Sequence, residues 1–173
     1  TNFETNDEER ITTFEQMNLK QELLKGLLDS GFNLPTYIQI LSIKPILEGR
    51  NIFAESPFWQ CQIVSYSIGI LEKINVDEKK NQAIILTPTS ENAMKIYNII
   101  KQISINIKEL QIALLTNDFP YELKEEEISK NPHIVIATPG LASIFIQNVI
   151  LTCDKTNIVC FDRSDELFDD DFI

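Results

Sequence analysis

Five short runs of Ile, Val, Leu and Phe recur along this chain, and most are separated by segments with helical patterning. They lie at residues 51–54, 83–87, 111–115, 133–137 and 157–161. A strand that is wet on one face alternates apolar and polar residues. An unbroken apolar run belongs to a strand covered on both faces. Strands of this kind interleaved with helices make βαβ units and a parallel sheet. The expected fold class is therefore α/β, a parallel sheet flanked by helices on both faces.

The helical segments carry their own signals. Leu23, Leu24, Leu27 and Leu28 share one face of a helix expected over 20–30, and Gly31 stops it. Thr36, after Pro35, is an N-cap for a second helix running to Gly49, with a bend expected at Pro45. Further helices are expected over 62–74, 91–103, 121–129 and 140–147. Residues 76–81 read as a charged surface loop. Residues 1–13 read as a polar, mobile leader.

Composition bounds the function classes. A chain of 173 residues suits one domain, which buries about 70% of its unfolded surface. No apolar run is long enough to span a bilayer, and the acidic start does not resemble a secretory signal. Three cysteines, Cys61, Cys153 and Cys160, lack the spacing of a disulfide framework or a metal site. The net charge of −11 argues against a generic basic nucleic-acid binder. Most of that charge sits at the ends, however: −3 over residues 1–10 and −5 over residues 162–173. An intracellular location, cytoplasmic or nuclear, is expected.

In an open parallel sheet, ligands bind beyond the carboxyl ends of the strands. The segments there form recognisable signatures. Gly31-Phe32-x-x-Pro35-Thr36-x-Ile38-Gln39 is followed by Pro88-Thr89-Ser90-Glu91-Asn92-Ala93. Pro132 to Gly140 comes next, ending Thr138-Pro139-Gly140, and then Phe161-Asp162-Arg163-Ser164-Asp165. In this order and spacing they resemble the first RecA-like domain of DEAD-box RNA helicases, of the translation-initiation and mRNA-export kinds. The resemblance covers residues 14–172. It implies an adenine site, here vestigial, at Phe14, Pro35, Thr36 and Gln39; the Gly, Pro and Thr of this stretch also read as the cap chemistry of a tight helix–loop–helix, which is the expected role. It implies vestigial RNA contacts at Pro88, Thr89, Glu91, Thr138, Pro139 and Gly140. It also implies that residues 14–173 form domain 1 without its C-terminal part, and that the second RecA-like domain is absent from this sequence.

The departures from the family pattern are concentrated on chemistry. A phosphate-binding loop uses glycines so that backbone N–H groups can curl round an anion, a Lys for charge and a hydroxyl for Mg²⁺. The family reads A-x-x-G-x-G-K-T where this chain reads Ser56-Pro57-Phe58-Trp59-Gln60-Cys61-Gln62-Ile63. Trp59 and Cys61 stand at the glycine positions, Gln62 at the Lys and Ile63 at the hydroxyl. In the DEAD segment Asp162 is kept, but Arg163 replaces the Glu that orients water. With a pKa above ~12 it cannot act as a base. Asp165 closes a Asp-Arg-Ser-Asp segment that has no intact catalytic set. The family's RNA-contacting arginines are Ser90 and Leu141 here, and its Gly-Gly turn is Thr116-Asn117.

The expectation is therefore a non-enzymatic, degenerate helicase-like domain that binds no ATP or Mg²⁺. It would hold a protein partner in a larger assembly, with RNA as a weakened ligand and no membrane contact. Two alternatives stand beside it: an RNA-binding helicase domain, and an ATP-dependent helicase fragment completed by other segments. Trp59 reads either as a plug of the old phosphate cavity or as an exposed anchor for a partner. His133 reads as a packing or surface residue, and Cys160 as core.

Overall fold

The computed structural model describes residues 11–57 and 59–168, and of Trp59 and Gln60 only the backbone. Four strands form one sheet: β1 (Ala83–Leu86), β2 (Ile112–Leu115), β3 (Ile134–Ala137) and β4 (Ile158–Phe161). Their order is β2-β3-β1-β4, and every pair is parallel. The strands are in register, so Leu115 pairs with Ala137, Ala137 with Leu86, and Leu86 with Phe161. The helices are α1 (Gln21–Asp29), α2 (Tyr37–Leu47), α3 (Trp59–Lys73), α4 (Ser90–Ile103), α5 (Tyr121–Ser129), α6 (Pro139–Gln147) and α7 (Ser164–Leu167), after a 3-10 turn at Glu15–Met17. This is the expected α/β RecA-like architecture. Among the described residues, no helix is long and apolar enough to cross a membrane.

Alternate strand residues feed two cores. Ala83, Ile85, Ile134 and Ile136 face a large core built with α1, α3 and α4. Ile84, Val135, Ala113 and Leu115 face a smaller one with Leu141 and Phe145 of α6 and Ile128 of α5. Two glycines set helix spacing. A Cβ on Gly26 of α1 would lie 1.9 Å from the Ile103 carbonyl oxygen of α4, and one on Gly69 of α3 would lie 2.2 Å from Ile46 Cγ2 of α2.

The helix ends follow local chemistry. At the end of α1, Gly31 takes φ +85°, Gly31 N–H bonds Leu28 O, and Phe32 N–H bonds Leu27 O. At the end of α2, Gly49 takes φ +82°, its N–H bonds Ile46 O, and Arg50 N–H bonds Pro45 O. Both are Schellman motifs, whose carbonyl partners need a left-handed residue that glycine adopts without strain. Pro45 lies inside α2, which stays one continuous helix.

Three expectations are corrected. Residues 51–54 form no strand; they run as an irregular segment in which Phe53 is 86% exposed. A four-residue run needs a paired edge to become a strand, and no ladder reaches it. Strand β4 is covered on one face only, because Val159 and Phe161 are half exposed. Of the expected leader, residues 1–10 lie outside the described residues. Ile11 packs against the large core, and the N–H groups of Thr12 and Thr13 donate to Gln16 Oε1.

Candidate functional site

The register of the sheet lines up the residues that follow each strand. Across the carboxyl edge they are Thr116, Thr138, Thr87 and Asp162, in the order β2-β3-β1-β4. Asp162 is the only charged member and is 7% exposed. Its backbone N–H extends the ladder to Leu86 O at 2.8 Å.

The Asp162 carboxylate is held on both oxygens. Thr87 Oγ1 donates to Oδ2 at 3.0 Å, and Tyr66 Oη of α3 donates to Oδ1 at 3.2 Å. Burial pushes the Asp162 pKa up, and the two hydroxyl bonds and the nearby Arg163 pull it partly back. Burial, reinforced by the Asp162 charge, pushes the Tyr66 phenol well above its usual range. Burial does the same to Cys160, which packs against the large core. Arg163 sits in the left-handed region at φ 55°, and its guanidinium pairs with Glu166 rather than with Asp162.

The segment at the phosphate-loop position is already helical from Trp59. Gln62 is half-buried, and its Nε2 donates to Ser56 O at 2.9 Å, closing the segment on itself. Ile63 is 3% exposed and belongs to the large core. The Cys61 carbonyl accepts from Ser65 Oγ at 2.8 Å and from Gln39 Nε2 at 3.5 Å. Whether Trp59 plugs the cavity or anchors a partner lies outside the described side chains.

Gln39 is buried, and both ends of its amide are used internally. Oε1 accepts from Thr36 N–H at 2.8 Å, a capping-box contact, while Nε2 reaches across to α3. Pro35 is half-buried and Thr36 exposed. Phe14 is 0% exposed, inside the large core.

Among the residues expected from the resemblance to face RNA, Thr89 caps α4, its Oγ1 accepting from Asn92 N–H at 3.2 Å. Pro88 is half-buried, and Glu91 is exposed and paired with Lys95 at 2.6 Å. Thr138 precedes α6, Pro139 takes its first position, and Gly140 is exposed with no atom within 4 Å of where a Cβ would stand. Both helix N-termini therefore open at the carboxyl edge. Leu141, at the family's Arg position, is packed inward in the smaller core.

Half-buried Tyr66 and buried Thr87, Lys124 and His133 make structural contacts. Tyr66 and Thr87 read in sequence as ordinary helix and strand-end residues. Lys124 is 6% exposed and donates to Thr116 O at 3.2 Å, although its helix reads as a solvated acidic face. His133 is fully buried: its Nδ1 accepts from Gln111 N–H at 3.0 Å, and its Nε2 faces Val76 O at 3.1 Å.

This arrangement is that of a RecA-like domain. The DEAD/DEAH box helicase family profile matches residues 36–173, and the chain belongs to that family. It is 32% identical over 166 residues to the ATP-dependent RNA helicase eIF4A of Pyricularia oryzae, covering 95% of this chain and 41% of that protein. The chain thus spans about two fifths of the length of the curated relatives it matches. A DEAD box protein from Methanococcus jannaschii is similar in structure, with a TM-score of 0.86, 29% identity, and coverage of 94% of this chain and 44% of that one. Structures of S. cerevisiae Dbp5 share the fold at 23% identity. One, bound to RNA and ADP BeF3, has a TM-score of 0.81 and covers 91% of this chain and 39% of that one. Another, a variant bound to a Gle1 variant and IP6, has a TM-score of 0.82 and covers 91% and 40%.

Proposed function

We propose that this chain is a nucleotide-independent DEAD-box-type domain that acts by holding a protein or ribonucleoprotein partner. The observation that carries the reading is the state of Asp162. Its two carboxylate oxygens are engaged by the hydroxyls of Thr87 and Tyr66, so the chain supplies its own partners where the family places a metal.

The neighbouring residues do not fit a magnesium nucleotide. A triphosphate needs a cation, a hydroxyl for the metal and a run of backbone donors. Gln62 carries no charge, and its amide is turned onto Ser56 O. Ile63 offers only methyl groups, buried in the core. Pro57 contributes no N–H. Arg163 cannot accept a proton from water and is paired with Glu166.

Without nucleotide chemistry, the domain offers surfaces. A Dbp5 variant that shares this fold over 40% of its length is bound to a Gle1 variant. A second reading keeps RNA as a ligand, held by backbone at Thr89 and at Thr138–Gly140; the open space above Gly140 favours it. Affinity purification with both proteins and RNA identified separates the two. The scaffold reading expects protein partners that persist after ribonuclease treatment. Recovery of RNA crosslinked at Thr89 and Gly140, with partners lost on ribonuclease treatment, would favour the second reading instead.

A further inference from the structure

Strands β1, β2 and β3 begin side by side at the amino edge of the sheet, and His133 ties their starts together. Just ahead of β3, its carbonyl accepts from Gln82 N–H at 2.8 Å and from Ala83 N–H at 3.1 Å, where β1 begins. Its own N–H donates to Gln111 O at 2.9 Å, just ahead of β2. The fully buried ring extends the joint. Nδ1 lies 3.0 Å from the Gln111 nitrogen, and Nε2 lies 3.1 Å from Val76 O in the loop that follows α3.

These partners fix the state of the ring. A backbone N–H can only donate, and a carbonyl oxygen can only accept. Nδ1 must therefore keep its lone pair while Nε2 carries the hydrogen, which is one tautomer of the neutral ring. An imidazolium carries hydrogen on both nitrogens. Charging the ring would set its Nδ1–H against the Gln111 N–H and bury an uncompensated charge. The charged groups on the segments packed around it are Asp77, Glu78, Lys79 and Lys80 after Val76, Lys108 and Glu109 before Gln111, and Lys130 before His133 itself. Glu78 pairs with Lys155, Lys80 with Asp154, and Lys130 with Glu126 and Glu127. Among the described residues no carboxylate pairs with either ring nitrogen.

We propose that His133 is a proton-operated latch on the amino edge of the sheet. The neutral ring clasps the start of β2 to the loop after α3. On charging, the ring leaves its slot for water and the Gln111 amide loses its acceptor. The loop is then left to Gln82, whose Nε2 donates to Asn75 O and Glu78 O. The backbone bonds of His133 do not involve the ring, so the opening is local. The latch requires neither the partner nor the loss of nucleotide chemistry proposed above, because every contact in the joint lies within residues 76–134.

His133 is the only histidine in the chain, so its ring signals are unambiguous. Nitrogen-15 NMR of the imidazole reads the tautomer. Hydrogen exchange at the Gln111 amide, corrected for the intrinsic rate, reads the latch. An imidazole in water titrates near ~6.5, so the closed joint is favoured above that value and lost as the pH falls. The expected result at about pH 7.5 is hydrogen on Nε2 and none on Nδ1. On lowering the pH to about 5.5, Gln111 protection falls about tenfold, because only the opened ring takes the proton. His133→Asn keeps an acceptor at the Nδ1 position and does not titrate, so its Gln111 protection is the same at both pH values. A parent ring with hydrogen on Nδ1 at the higher pH overturns the proposal. So does a parent Gln111 amide equally protected at both pH values, or a pH dependence that survives in folded His133→Asn.

Discussion

Thr87 Oγ1 lies 3.0 Å from Asp162 Oδ2, so the residue that ends β1 donates to the residue that ends β4. Tyr66 Oη approaches the other carboxylate oxygen from α3 at 3.2 Å. The three residues join two strands and a helix at one buried charge.

Removing either hydroxyl leaves a carboxylate oxygen buried without its donor. Hydrogen bonds to a charged group contribute about 1.5–3 kcal/mol. Thr87→Val and Tyr66→Phe should therefore each lower unfolding stability by about 1.5–3 kcal/mol, measured by urea denaturation. Both donors serve one carboxylate, so the double variant should depart from additivity in a double-mutant cycle. Additive effects would mean that the two contacts are independent.

Asp162→Asn removes the buried charge and keeps an amide that can bond both hydroxyls. The native pKa of Asp162 is raised, chiefly by burial. The folded state then binds this proton more tightly than the unfolded one. The group's contribution is fully present below the unfolded carboxyl value near ~3.9 and is lost as pH rises through the native value. The variant should therefore melt above the parent at pH 7.5, and the gap should close as the pH falls toward about 4. A gap that widens on acidification would mean that the carboxylate is net stabilised by its two hydroxyls.

Gly26 and Gly69 are spacing residues. Gly26→Ala places a methyl group on the Ile103 backbone carbonyl at 1.9 Å, which only a shift of α1 against α4 can relieve. Gly69→Ala meets the Ile46 side chain at 2.2 Å, which can rotate. Overpacking typically costs about 1–3 kcal/mol. Gly26→Ala should fall at or above the top of that range and Gly69→Ala below it, by chemical denaturation.

Much of the fold was legible because buried parallel strands announce themselves as apolar runs, and because Gly31, Thr36 and Gly49 carry explicit helix-end chemistry. Residues 51–54 have the same composition but lack a paired edge, and a strand is a property of its partner as well as of its sequence. The exposed face of β4 was hidden for the same reason: Val159 and Phe161 look like core residues until their neighbours are known. At the site, the departures at Gln62, Ile63 and Arg163 were visible against the family pattern. The replacement contacts were not, since Tyr66 and Thr87 meet Asp162 across 96 and 75 residues of sequence. Phe14 stands at a motif position, and its ring is enclosed by the core.

The central claim is that this edge of the sheet no longer takes a magnesium nucleotide. Thermal unfolding with and without millimolar ATP and Mg²⁺ tests it most directly, because a ligand that binds only the native state at about 100 times its Kd stabilises by about 2.7 kcal/mol. The expected result is superimposable melting curves at every nucleotide concentration. A saturable, Mg²⁺-dependent rise of several degrees, abolished by Asp162→Asn, would contradict it.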